Sequence, residues 1–374
     1  MMKDAKTGKV SNRSDLRTTL ESKLIAPEEE EESVLLGEVA EQRSVKPKTY
    51  LIESNTDLKH VAMNGYKVVP TDDSSLWNIL ATSKNDSFYM YLDTLDPRFW
   101  VLHSTYYADE SDAVVKSLIT GNSSKLDSAW LSSDTLLDLS RGKPTMGFGI
   151  NYTNLFVPES EKAGLSARVW GREVPNVLKG LRKITQIENQ ISVSSVTLRS
   201  EIGVGFVNED IFRDGKLTAK GGDSIDNHLA LIDSVVTNYR GLIERIEREY
   251  VTRYQRSEHY CTIQGTYSVI EFSAFIPNLP YFAEILTSGT EPFRLWGVSR
   301  PITPNHYRLH VIDLHTNTPV ELELMPDELR IVLGEGACGN VVPRLFTNIQ
   351  ARFDSNCKLR GLDSAYIIRP HQAS

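Results

Sequence analysis

Cysteine is scarce in this chain: Cys261, Cys338 and Cys357 are the only three in 374 residues. An odd, widely spaced set excludes a disulfide framework and a Cys-x-x-Cys metal or redox knuckle. Long apolar runs are missing too. Nothing approaches the roughly 18 consecutive apolar residues of a membrane span. Lys3, Lys6 and Lys9 are followed by no apolar stretch, so no secretory leader is expected. These absences point to reduced thiols in a cytosolic protein without a membrane partner. Complete catalytic signatures are absent as well. There is no Gly-x-Ser-x-Gly elbow, His-Glu-x-x-His helix, EF-hand loop or P-loop Gly-Lys-Ser/Thr. No metal is implied, and the cofactor is left open. Basic charge is outweighed, with 41 Lys and Arg against 49 Asp and Glu, a net of −8. That balance argues against a whole surface committed to nucleic acid and leaves room for a local basic face.

What is present has an ordinary soluble profile, 40% apolar and 24% charged. The length is enough for two domains and a tail. The most regular stretch runs from Ser224 to Arg256. Leu229, Ile232, Val235, Val236, Tyr239, Leu242, Ile243, Ile246, Tyr250 and Tyr254 recur every three or four residues, the period of one helix face. Arg240, Glu244, Arg245, Glu247 and Arg248 fall mainly between them. The spacing predicts a long central helix. Ten apolar positions exceed what a thin domain easily covers, so self-association through 224–256 is expected.

Residues 1–46 read as a disordered charged tail, with the acidic run Glu28 to Glu32 and two amphipathic patches, Leu16–Ile25 and Val34–Val39, able to fold on a partner. An N-terminal α/β domain is expected over 47–160. Its strands are placed at Thr49–Ile52, Phe88–Leu92, Phe99–Leu102 and Met146–Tyr152, and its helices at Leu76–Leu80, Ala113–Ile119 and Leu126–Leu139. Asp93 to Arg98 reads as a turn. A basic connector and loop follow over 161–222, with Gly203–Gly222 read as one long loop. Residues 223–374 are assigned to the long helix and a strand-rich module. That module has strands within Thr262–Phe275 and at Tyr307–Leu314, Val320–Leu324 and Leu329–Leu333, and helices at Leu279–Leu286 and Val341–Phe353. The class is therefore mixed α+β: an N-terminal α/β domain, a long central amphipathic helix and a C-terminal strand-rich module ending in a helix.

Three stretches carry residues suited to chemistry. The first is His306, Arg308 and His310, with Asp313 and His315 beyond them. Imidazole and carboxylate together suit a metal or proton transfer. Strand alternation, however, puts His306 and His310 on one face and Asp313 and His315 on the other, with Arg308 between the first pair. A half-exposed strand accounts for the same residues. The second is Gly334, Gly336 and Gly339 with Asn340, a literal G-x-G-x-x-G ahead of a helix and a natural anion cradle. Cys338 lies inside it, where a helix N-terminus and a histidine base would activate a thiol. A structural turn with a buried thiol is the plainer reading. The third is the segment 162–199. Seven basic residues face two acidic ones there, a net of +5 in a chain of −8. Arg168, Trp170 and Arg172 alternate, and Lys179, Arg182 and Lys183 follow. Guanidinium groups with an indole suit phosphates and a stacked base. The reading that follows is a non-catalytic interaction or regulatory protein touching nucleic acid through 162–199. The alternative is an enzyme for a phosphorylated or nucleotide substrate, built on the 334–340 loop and nearby histidines.

Overall fold

The computed structural model describes residues 6–24, 45–82, 86–157, 164–171, 173–184, 187–256 and 261–360, apart from the side chains of 254–256 and 261–263. The acidic run Glu28–Glu32, the patch Val34–Val39 and Arg172 lie outside the described residues, as do the side chains of Tyr254 and Cys261. The chain is mixed α+β and divides into two compact units. One comprises Met1–Ala129 and Thr197–Val236, the other Trp130–Val196 and Thr237–Ser374.

The first unit is an antiparallel sheet. Its strands are β1 (Lys48–Ser54), β2 (Lys67–Pro70), β3 (Leu76–Thr82), β4 (Ser87–Asp93), β5 (Phe99–Ser104), β10 (Val207–Phe212) and β11 (Lys216–Gly222), in the order β2-β3-β4-β5-β1-β11-β10. The short β6 (Leu126–Ser128) also pairs with β1. Both faces of this sheet are covered. On one, Val114, Val115, Leu118 and Ile119 of helix α2 (Ala108–Gly121) pack against Tyr50, Ile52, Trp100 and Leu102. On the other, helix α1 (Arg13–Leu24) sets Leu16, Leu20 and Leu24 against Leu76, Leu80, Tyr89 and Tyr91.

Three expectations are corrected here. Part of the supposed tail is helix α1, and its amphipathic patch docks on this chain's own sheet, held by Arg13 on Asp93 at 2.6 and 2.9 Å. Leu76–Leu80 is a strand, not a helix. Just ahead of it, the Asp73 Oδ1 accepts from the Ser75 N–H at 2.9 Å in a turn. A short apolar run between two covering layers is satisfied by ladder partners on both sides, β2 and β4. Gly203–Gly222 is no long loop but the β10–β11 hairpin. Its three-residue turn ends at Gly215, with φ +79°. The Asp214-Gly215 pair was the sign of it.

The stretch Leu126–Leu139, expected as one helix, divides into the first unit's β6 and, in the second unit, a short helix α3 (Ser133–Ser140) capped by Ser132. Strands β7 (Thr145–Thr153) and β8 (Gly164–Trp170) pair antiparallel. The Val193–Val196 part of β9 (Val193–Ser200) lies on the other side of β7. Helix α4 (Val174–Leu181) follows β8. The long helix α5 runs from Ile225 to Glu249, the division between units falling after Val236. It is about 37 Å long at 1.5 Å per residue. It ends before the expected Arg256, because β-branched Val251 and Thr252 bond Leu333 and the chain turns into strand β12 (Arg253–Arg256), paired with β13 (Cys261–Gln264).

A six-stranded sheet forms the rest. Its strands are β14 (Ser268–Glu271), β15 (Leu295–Thr303), β16 (His306–Asp313), β17 (Thr318–Leu324), β18 (Glu328–Leu333) and β19 (Lys358–Arg360), in the order β15-β16-β17-β18-β14-β19. Helices α6 (Leu279–Thr287) and α7 (Val341–Arg352) share its core with Leu242 and Ile246 of α5. Helix α7 is buried on every side from Val341 to Ala351. The apolar stripe of α5 is buried within the chain, with Leu229 half-buried.

Candidate functional site

Strand β8 presents the basic segment. Its exposure alternates, so Gly164, Ser166, Arg168 and Trp170 share the open face while Leu165, Ala167 and Val169 are half-buried. Trp170 keeps 52% of its surface exposed, and the Arg168 guanidinium sits 5.9 Å from the centre of its ring. Beyond them, Lys179 on α4 and Lys183 in the following turn are exposed, and Arg182 is half-buried. Two exposed apolar side chains, Val177 and Ile184, belong to the same stretch of chain, and Met146 of the paired strand β7 is exposed as well. The arrangement offers an indole for stacking and cations for phosphates.

The histidine strand divides as its period requires. His306, Arg308 and His310 fall on the outer part of β16 beside carboxylates of β17: Arg308 to Glu323 at 3.0 Å and His310 to Glu321 at 3.5 Å. Asp313 is buried in the other direction, in an ion pair with Arg344, and both side chains are fully enclosed. Arg344 Nε also donates to the Phe293 carbonyl at 3.0 Å, and Asp313 accepts from Thr316 Oγ1 at 3.1 Å. His315 is enclosed in the turn after β16.

The Gly-rich turn is explained by packing. The Gly339 N–H donates to Glu247 Oε1 of α5 at 2.9 Å, so an internal carboxylate takes the donor a phosphate would want. A Cβ on Gly339 would stand 2.9 Å from the Ile243 carbonyl, and Gly336 has φ +82°. Glycine is needed at 339 for close helix approach and at 336 for the turn. Asn340 Oδ1 accepts from the Tyr239 hydroxyl. Gly334 has open surroundings, with only the Pro319 carbonyl at 3.9 Å. Of the thiol candidates, the structure brings one pair together: a ring nitrogen of His315 lies within 4.8 Å of Cys338 Sγ. The Asn340 N–H points at that sulfur at 3.4 Å. An imidazole and an N–H dipole both favour thiolate, yet the pair is buried.

A further polar chain, in the first unit, had almost no sequence signature. Glu209 Oε1 lies 2.7 Å from His228 Nδ1, His228 Nε2 lies 3.2 Å from Thr49 Oγ1, and Thr49 Oγ1 lies 2.9 Å from His103 Nδ1. All four residues are buried. Burial raises the Glu209 carboxyl above its ordinary range, opposed by His228. Thr49 and His103 are cross-strand neighbours on β1 and β5. Glu209 and His228 come from β10 and α5, so only folding gathers them. His103 stood beside Asp93, Asp96 and Arg98 in the sequence, but those serve other ends. Asp93 holds Arg13, Asp96 caps its own turn, and Arg98 pairs with Glu53 at 2.7 Å.

A family model described as MJECL33-like protein matches residues 4–368. The chain belongs to the MJECL33-like family. A relative, Uncharacterized protein MJECL33 of Methanocaldococcus jannaschii, is 28% identical over an alignment of 352 residues, with 82% of this chain and 84% of the relative covered. Neither description states an activity.

Proposed function

We propose that this chain is a non-catalytic interaction protein that contacts single-stranded nucleic acid through the open face of β8 and the basic residues after it. The observation that carries this reading is the Arg168–Trp170 pair on an exposed strand face. A stacked indole and guanidinium bind any base by its π-face and any phosphate by charge. The groups that would serve catalysis are turned to other work. The Gly339 donor holds Glu247, the outer histidines face carboxylates, and the Cys338–His315 pair is enclosed. A cytosolic setting goes with this reading, in keeping with the unbridged thiols of Cys338 and Cys357.

The test is titration of a labelled single-stranded oligonucleotide, read by anisotropy, with the difference in intrinsic tryptophan fluorescence between wild type and Trp170→Ala as a second signal. Trp170→Ala is expected to weaken binding by roughly 1–3 kcal/mol, the worth of one base stacked on an aromatic ring. Arg168→Ala together with Lys183→Ala should flatten the salt dependence. Equal affinity of wild type and Trp170→Ala at low salt would end the proposal.

A further inference from the structure

Strands β15 and β16 pair in register, and opposed residues share a face of the six-stranded sheet: Trp296 with Ile312, Val298 with His310 and Arg300 with Arg308. The alternate residues Leu295, Leu309 and Val311 turn to the core shared with α6 and α7. The first set is exposed, Trp296 at 59% and Val298 at 66%. The indole has a fixed seat. A Cβ on Gly289, between α6 and β15, would stand 3.1 Å from Trp296 Cδ1, so the ring rests on that backbone and leaves the rest of its surface outward. Sideways, β15 is blunted by Pro301 and by the register shift that follows it. What this strand offers is a face.

Two guanidinium groups stand farther along that face. Directly opposed residues have Cβ atoms about 4.5–5.5 Å apart, and like charges so placed repel. Arg308 is partly neutralised, because Glu323 of β17 accepts from it at 3.0 Å, but the same carboxylate also serves Arg330 of β18 at 3.6 Å. Glu321 of β17 is taken by His310 at 3.5 Å. Arg300 is exposed and, among the described residues, has no carboxylate partner. An anion between Arg300 and Arg308 would relieve the repulsion, and two planar forks suit phosphate oxygens. Trp296 lies four residues from Arg300 on the same strand, about 13 Å at the rise of a strand. A seated indole and an arginine pair in one line on an open antiparallel sheet match what a short single strand presents, a base to stack and a backbone phosphate to hold.

We infer that the outer face of β15 and β16 is a second contact for single-stranded nucleic acid, with a base stacked on Trp296 and a phosphate held between Arg300 and Arg308. The class of ligand rests on the proposed function; the residues do not, since none belongs to β8 or to the basic residues after it. Both contacts belong to the same compact unit.

The test is titration of the full chain with a fluorescein-labelled oligothymidylate, read by anisotropy. Trp296→Ala is expected to weaken binding at least about fivefold, the lower end for one stacked base. Arg300→Gln should reduce the magnitude of the salt slope by about 0.7, one phosphate contact on a single strand. Arg300→Glu gives Arg308 an internal partner and should weaken binding more than Arg300→Gln does. All three changes are at exposed positions, and an unchanged thermal midpoint shows that each variant folds. Wild-type affinity and salt slope in Trp296→Ala and Arg300→Gln overturn the inference; if Trp170→Ala weakens binding in the same series, the β8 contact stands without it. Weakening by Trp296→Ala with none by Trp170→Ala keeps the inference and removes the β8 contact. No binding by the wild-type chain overturns both. A dimer in sedimentation equilibrium that Trp296→Ala dissociates, with oligonucleotide affinity unchanged, overturns the inference and gives the face to a second copy.

Discussion

One hydroxyl, Thr49 Oγ1, joins two buried imidazoles, and its loss is the sharpest test of the Glu209–His228–Thr49–His103 chain. With Glu209 ionised, His228 donates from Nδ1, Thr49 donates to His228 Nε2, and His103 donates to Thr49. Thr49→Val keeps the shape and strands a nitrogen on each ring. Leaving buried polar groups unpaired costs roughly 1–3 kcal/mol each, so urea denaturation should show a loss of about 2 kcal/mol or more. A smaller loss than about 0.5 kcal/mol would mean water replaces the hydroxyl. The same chain sets a pH response. Burial is the main cause that lowers His103 from 6.5 to about 3. The unfolded chain therefore holds the extra proton between about pH 6.5 and pH 3, and folded stability falls as pH drops through that window. His103→Gln should flatten this acid limb in denaturation midpoints measured near neutral pH and near pH 4.

At the scale of elements, the sequence was most legible where one face meets water and least where both faces are covered. Strands β16 and β17 alternate cleanly because their outer side chains are wet, and their positions were readable to within two residues. Strand β3 is covered on both sides, so its short apolar run carried no period to distinguish it from a helix. Helix α1 was missed for another reason. Its three leucines are too few to oppose a charged surrounding until Tyr89 and Tyr91 supply the other half of the core. Leu20→Ala should therefore lower stability by about 2–5 kcal/mol, as burial in a core requires; a change within about 0.5 kcal/mol would return α1 to the status of a tail. The G-x-G-x-x-G pattern was legible as glycines but not as a cause. Its function is set by α5 lying against Gly339, a contact distant in sequence. Gly339→Ala should destabilise by about 1–3 kcal/mol through overpacking, readable as a lowered thermal midpoint with no change in oligonucleotide affinity.

For the whole molecule, net charge limits what binding can look like. A chain of −8 that meets nucleic acid does so through a few local cations. With three to five phosphate contacts, the slope of log affinity on log salt should lie at about −2 to −3.5 for a single strand. A much steeper slope would require a basic surface larger than β8 and its neighbours offer. Among the described residues no helix is long and apolar enough to cross a membrane. By itself the sequence determined the mixed α+β class, the long amphipathic helix, the strands with one wet face and the local excess of basic charge. Those features depend on neighbours within a few residues, where periodicity and composition act. Only the tertiary structure decided that the stripe of α5 is spent inside the chain, that the Gly-rich turn serves an internal carboxylate, and that Thr49, His103, Glu209 and His228 form one buried network. It also decided that Arg168 and Trp170 share the exposed face of β8. Each of those follows from contacts between segments far apart in the chain, and a linear pattern carries no record of which segments meet.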